Sequence, residues 1–163
     1  MGYNSNTALL GICDTYILLE QGKNDDFCYL VDTKLTSQSQ AEANCVTQLA
    51  HVAIIHDQSF NDYVKRTALA YGLTDGIFIG LTNNSDNDSY VWSDGSEVDY
   101  TNFAPGFPDT TFGECIVMGI TLFPGKWFNS DCSTKLPYIC TKQARENYNC
   151  SMRFSRLHGA AQL

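Results

Sequence analysis

The sequence predicts one α+β domain, with two early helices, several short strands and a long irregular loop region. Three observations predict it. Helix-spaced apolar residues fall in one stretch, roughly residues 37–71, and most of the short strand-length runs follow it, so helices and strands do not alternate. The stretch from Tyr90 to Cys132 is too rich in Gly, Pro, Asn and Asp for helix, yet it holds three of the four prolines and both tryptophans. Such a segment is an ordered loop pinned by buried aromatics, not a disordered linker. Seven cysteines, none in a Cys-x-x-Cys pair, are scattered through 163 residues. That pattern favours disulfides in an oxidising compartment over zinc or a redox dithiol.

Composition bounds the rest. Hydrophobic residues make up 44% of the sequence, enough for a core, and no run approaches membrane-spanning length. Ten Lys+Arg against 18 Asp+Glu give a net charge of −8, which argues against nucleic acid as a partner. The opening Met1 to Asn6 has no basic residue, and the apolar run Ala8 to Ile12 is too short for a signal peptide. Three regions are expected: an N-terminal tail over 1–12, the domain over 13–143, and a C-terminal tail over 144–163. The last carries Arg145, Arg153, Arg156 and His158 without an apolar period.

In sequence order, Tyr16 to Leu19 predicts a short strand, Asn24-Asp25-Asp26 a turn, and Phe27 to Val31 a second strand. Cys13 and Cys28 flank this unit and are placed to staple it as a hairpin. Ser37-x-x-Gln40 has capping-box spacing and opens a helix to about Ala50, with Ala41, Cys45 and Leu49 on its buried face. Val52 to Ile55 is a short apolar run. Asp57 or Ser59 caps a second helix, whose buried stripe is Phe60, Val64, Ala68 and Tyr71, with Tyr63 and Thr67 alongside. Gly72 ends it. Phe78 to Leu81, Val91-Trp92, Cys115 to Ile120, Lys126 to Phe128 and Tyr138 to Cys140 supply the later strands, and Asp94-Gly95 reads as a hairpin turn.

One order of residues then stands out: Cys45, Phe78-Ile79-Gly80-Leu81, Trp92-x-Asp94-Gly95-Ser96, Asn102-Phe103-Ala104-Pro105-Gly106-x-Pro108, Cys115, Trp127, Cys132 and Tyr138-Ile139-Cys140. It resembles the C-type lectin-like domain, in its long form, over roughly Cys13 to Lys142. Phe78 stands where that family has the Trp of its Trp-Ile-Gly-Leu strand. The resemblance implies two helices, small antiparallel sheets and the long loop. It implies the pairs Cys45–Cys140, Cys115–Cys132 and Cys13–Cys28. The first would close nearly the whole domain and the second would brace the loop, each by about 3–5 kcal/mol. Residue counting also allows Cys13 to pair with Cys150, leaving Cys28 free. In the implied pattern Cys150 is left over, free or joined to a second molecule as a disulfide-linked dimer.

In the family, a Glu-Pro-Asn or Gln-Pro-Asp triplet and a Trp-Asn-Asp triplet supply oxygens that bind one Ca²⁺ and two sugar hydroxyls together. Calcium takes six to eight hard oxygen ligands, which explains those residue types. Here the first triplet aligns with Phe107-Pro108-Asp109, with Pro108 as the family's cis proline, and the second with Trp127-Phe128-Asn129. Asp109 and Asn129 keep an oxygen; Phe107 and Phe128 have none. Glu114 lies one residue after the expected acidic position, held by Gly113. Asp109 and Asn129 alone are too few for tight calcium binding unless waters, main-chain carbonyls or Glu114 compensate, so Asp109, Glu114 and Asn129 are the metal candidates. Asn83 and Asn87 put amides where carboxylates are expected at auxiliary calcium positions. Phe107 and Phe128 should lie together near the loop surface, where aromatic faces stack on sugars, anchor a protein partner or simply pack.

No catalytic group is assigned. His51 and His56 are not spaced to share one ion, and no nucleophile elbow or phosphate-binding Gly loop is present. Sequons occur at Asn83, Asn87 and Asn149, the first two expected on an exposed loop. The resemblance therefore implies an extracellular, secreted, non-enzymatic module that recognises carbohydrate, often in innate immunity, with calcium dependence weak or lost and no other cofactor. The alternative is a protein-binding module of the same fold without sugar or calcium. Phe107, Asp109, Glu114, Phe128 and Asn129 are the candidate ligand residues. The partner is a glycan or an extracellular protein, with no membrane span.

Overall fold

Among the described residues, eight strands join into one sheet instead of several small ones. The computed structural model describes residues 17–18, 27–84 and 89–143. The strands are β1 (Ile17–Leu18), β2 (Phe27–Thr36), β3 (His51–Val52), β4 (Gly76–Asn84), β5 (Ser89–Trp92), β6 (Cys115–Gly119), β7 (Trp127–Ser130) and β8 (Leu136–Gln143). Their order is β1-β2-β8-β4-β6-β7, with β3 beside β8 and β5 beside β4. All pairs are antiparallel except β4 and β8, which meet in parallel at Phe78 and Tyr138. That one parallel pair fuses the expected antiparallel sheets. Two helices, α1 (Gln38–Val46) and α2 (Gln58–Ala70), complete the α+β fold.

The first helix is shorter than its periodicity suggests. Ser37 occupies the N-cap without a side-chain cap bond, and the Gln40 amide donates to Asn44 instead, so no capping box forms. The backbone leaves the helix at Thr47, and Leu49 sits at φ 54°, 85% exposed, off the face shared by the buried Ala41 and Cys45. Cys45 is instead drawn inward by its bond to Cys140, whose Cα lies 5.4 Å away. In α2 the Asp57 carboxylate accepts from the Phe60 N–H at 2.8 Å and is the cap. Val64, Thr67 and Ala68 face the core, whereas Tyr71 is 42% exposed, because it follows the last helical residue and the backbone turns at Gly72. Asn61 is fully buried, a polar residue in that interior face.

The core explains why the central strands lack alternation. From Gly76 to Leu81 every residue of β4 is buried, as is every residue of β6. One face packs with Trp92, Trp127 and α2, the other with Cys45, Val52 and Tyr138. A strand covered on both faces reads as a continuous apolar run. Among the described residues no helix is long and apolar enough to cross a membrane.

Candidate functional site

The site is built on Trp127, at the start of β7. Side chains along β7 alternate, with Trp127 and Asn129 buried and Phe128 and Ser130 half-buried. The Trp127 ring meets Trp92, Tyr100 and Phe103 edge-on at 5.8, 5.5 and 5.7 Å, a geometry favoured by the ring quadrupoles. Its Nε1–H donates to Asn61 Oδ1 at 2.8 Å, and the Asn61 amide donates to the Gly125 carbonyl at 3.0 Å. The long loop is tied to the same residue by its backbone. Trp127 N–H donates to Asn102 O, and Ala104 N–H donates to Trp127 O, both at 2.9 Å. The loop enters the site region through a single parallel bridge between Phe103 and Trp127.

From Ala104 the loop turns sharply. Phe107 N–H donates to Ala104 O, Gly106 takes φ 86°, and the Phe107–Pro108 peptide is cis. Asp109 caps a 3-10 turn (Thr110–Phe112): its Oδ1 accepts from the Thr111 amide at 2.9 Å and the Thr111 hydroxyl at 2.6 Å. The Thr111 hydroxyl and then its amide hold the exposed Asp109 carboxyl below the usual carboxylate range. Gly113 follows at φ 127°, where a Cβ would collide with the Ser130 carbonyl. The segment closes with the Cys115–Cys132 bond, Cα atoms 5.1 Å apart.

Asn129 links both ends of this segment. Its Oδ1 accepts from the Asp109 N–H at 2.8 Å, and its Nδ2 donates to the Gly113 carbonyl at 2.8 Å and to the Tyr90 hydroxyl at 3.3 Å. The residue is 4% exposed. Phe107 and Phe128 meet at 6.0 Å between ring centroids, and Phe107 also meets Phe112 at 5.6 Å. An open cavity of about 430 Å³ is lined by Tyr90, Gly106, Pro108, Asp109 and Thr110.

The sequence-derived residues thus separate. Phe107, Phe128, Asp109 and Asn129 come together; Glu114 is exposed just beyond Gly113, and its carbonyl accepts from Asn83 N–H at 2.7 Å. Phe112, 59% exposed, and Tyr90 were not picked out by sequence. Asp109-Thr110-Thr111, a capping residue with a hydroxyl two positions on, was the available signal for the turn that presents Phe112. Asn83 lies on β4 opposite Tyr90, 7% exposed, not on an exposed loop. Asn87, Asn149, Cys13 and Cys150 lie outside the described residues, and with them the expected pairing of Cys13. The two histidines have separate acidic partners: His51 Nδ1 lies 2.5 Å from Glu42, and His56 Nδ1 lies 2.6 Å from Asp99.

A calcium ion does not fit this donor set. Phe107 and Phe128 bring no oxygen, the Asn129 oxygen is engaged by Asp109 N–H, and one Asp109 oxygen is engaged twice by Thr111. The Asn129 amide cannot be turned around without opposing its oxygen to the Gly113 carbonyl. Among the described residues no group of three or more His, Cys, Asp or Glu is placed to hold a metal.

Comparison with known proteins gives concordant matches. The family model for the lectin C-type domain matches residues 34–142. C-type mannose receptor 2 of Homo sapiens is 31% identical over 135 residues, covering 80% of this protein but only 9% of the receptor. A snaclec subunit of Philodryas olfersii is 32% identical over 120 residues, 71% of this protein and 72% of the snaclec. Human lithostathine superposes with a TM-score of 0.72 at 19% identity, over 88% of this protein and 99% of lithostathine, a likeness of fold alone.

Proposed function

The protein belongs to the C-type lectin domain family, and from that premise we propose that it is an extracellular module recognising carbohydrate without dependence on calcium. It is a binding module, not an enzyme. The observation that carries the reading is the open cavity of about 430 Å³ walled by Tyr90, Asp109 and Thr110, with Gly106 and Pro108, the neighbours of Phe107 in sequence, completing its lining. Its size falls in the small-ligand range, and a tyrosine beside the polar side chains of Asp109 and Thr110 suits a sugar, whose ring has an apolar face and a hydroxyl rim. The relative named as a mannose receptor supports a glycan ligand. The Cys45–Cys140 and Cys115–Cys132 bonds support an oxidising, extracellular setting.

A glycan array run in calcium and again in chelator tests this. Glycan signals that survive the chelator are expected; signals abolished by it would overturn the reading. One observation favours a second reading, a protein ligand: Phe112 is 59% exposed in contact with Phe107, which contacts Phe128, and clustered exposed rings are typical anchors of protein interfaces. An empty array, with an extracellular protein captured through this face and lost with Phe107→Ala and Phe112→Ala, would establish that alternative.

A further inference from the structure

We infer that Asn129 is a positioning residue that fastens the ligand loop to β7 in the role the family gives to a metal ion. A metal there would draw loop and strand together through shared oxygen ligands. Here one side-chain amide does so through backbone groups. It accepts from Asp109 N–H at one end of the five-residue segment 109–113 and donates to the Gly113 carbonyl at the other. Its amide also meets Tyr90 OH, on the strand that pairs with β4. Three further features make the clasp specific. The alternation of β7 turns Asn129 inward beside Trp127, only 4% exposed, so its polar atoms must be partnered within the protein. Gly113 lies too close to the Ser130 carbonyl for any Cβ, so only glycine lets the segment approach the strand here. Between the clasped ends, Asp109 closes the 3-10 turn by accepting twice from Thr111.

Aspartate at position 129, the family's residue, could accept from Asp109 N–H but could not donate to the Gly113 carbonyl. The same position therefore serves either a cation or the backbone, and the amide selects the backbone. The inference rests on the calcium-independent reading of this face. It adds that the loop is held ready before any ligand arrives.

Hydrogen exchange on the whole protein, without ligand, tests the clasp. In Asn129→Ala the amides of residues 109–113 should exchange about tenfold faster beyond any change shared by core amides of β4 and β6, as expected when a local set of bonds is lost. Calcium or chelator should leave the wild-type loop amides within about twofold. Should Asn129→Ala fail to fold, Tyr90→Phe removes one acceptor and should give the same local effect at about threefold. Loop amides that speed up no more than the core amides would overturn the clasp alone. Calcium that slows the wild-type loop amides would overturn both the clasp and the calcium-independent reading. A loosened Asn129→Ala loop in a protein that binds no array glycan would support the clasp while removing the glycan reading.

Discussion

Removing the Asn61 side chain tests what holds Trp127, on which the site is built. In Asn61→Ala the Trp127 indole N–H loses its acceptor at 2.8 Å inside a core where both residues are fully buried. A stranded buried donor costs about 1–3 kcal/mol, and the lost amide bond to the Gly125 carbonyl about 1 kcal/mol more. The Gly125 carbonyl keeps a second donor, the Asn102 amide at 2.8 Å, so it adds no further penalty. The sum is about 3 kcal/mol, or roughly 9 °C in melting temperature for a protein of this size. Urea unfolding followed by tryptophan fluorescence reads it. Trp127→Phe removes the donor itself, so a double-mutant cycle should give a coupling of about 1 kcal/mol or more between the two positions. A loss below about 1 kcal/mol in Asn61→Ala, or additive effects, would refute the staple.

Three further outcomes follow from the same geometry. Glu42 accepts from Val52 N–H at 2.9 Å and Ser93 Oγ at 3.0 Å and pairs with His51, joining α1 to β3 and to the start of the loop region; Glu42→Ala should cost about 2–3 kcal/mol in chemical denaturation, and a neutral result would show that water replaces these bonds. Phe112→Ala should weaken binding of an array-positive glycan by roughly 30- to 150-fold, about 2–3 kcal/mol, if the ligand covers the exposed part of the ring; affinity within about twofold would make the ring a packing group only. Because the Thr111 bonds lower the Asp109 carboxyl, the turn's stabilisation is present above the ordinary aspartate value of about 3.9 and is lost as pH falls below it through the lower folded-state value. Thr111 amide shifts should therefore stay constant from about pH 7 to 5 and move only below about 4; a midpoint at or above about 3.9 would contradict the cap.

The fold was legible where a residue's role is fixed by its own chemistry. Cysteines can be bonded, and Cys45–Cys140 and Cys115–Cys132 form as the family order implied. Asp57 can cap, and it does. Legibility failed where the backbone decided. Ala41, Cys45 and Leu49 have helical spacing, but helicity ends at Val46 and Leu49 is carried outward. Tyr71 fits the α2 stripe only if the helix continues through it, and it does not. The single sheet was unreadable for the same reason, since the parallel pairing of Phe78 with Tyr138 depends on backbone register and leaves no pattern in either strand.

The candidate site divides along that line too. The loss of oxygen at Phe107 and Phe128 is written in the residue types. The role of Asn129 is not, because its partners are a backbone amide, a backbone carbonyl and a tyrosine hydroxyl. Counted by residue type, Asn129 is a remaining metal oxygen. Placed in the structure, the same oxygen belongs to the Asp109 amide, and the donor count for a cation falls further. A tally of ligand residues thus overstates the surviving calcium site, and the correction comes from the backbone groups that such a tally omits. What the loop shows is a shape: a closed turn, a segment bonded at both ends to Asn129 and three phenylalanine rings in contact at its edge.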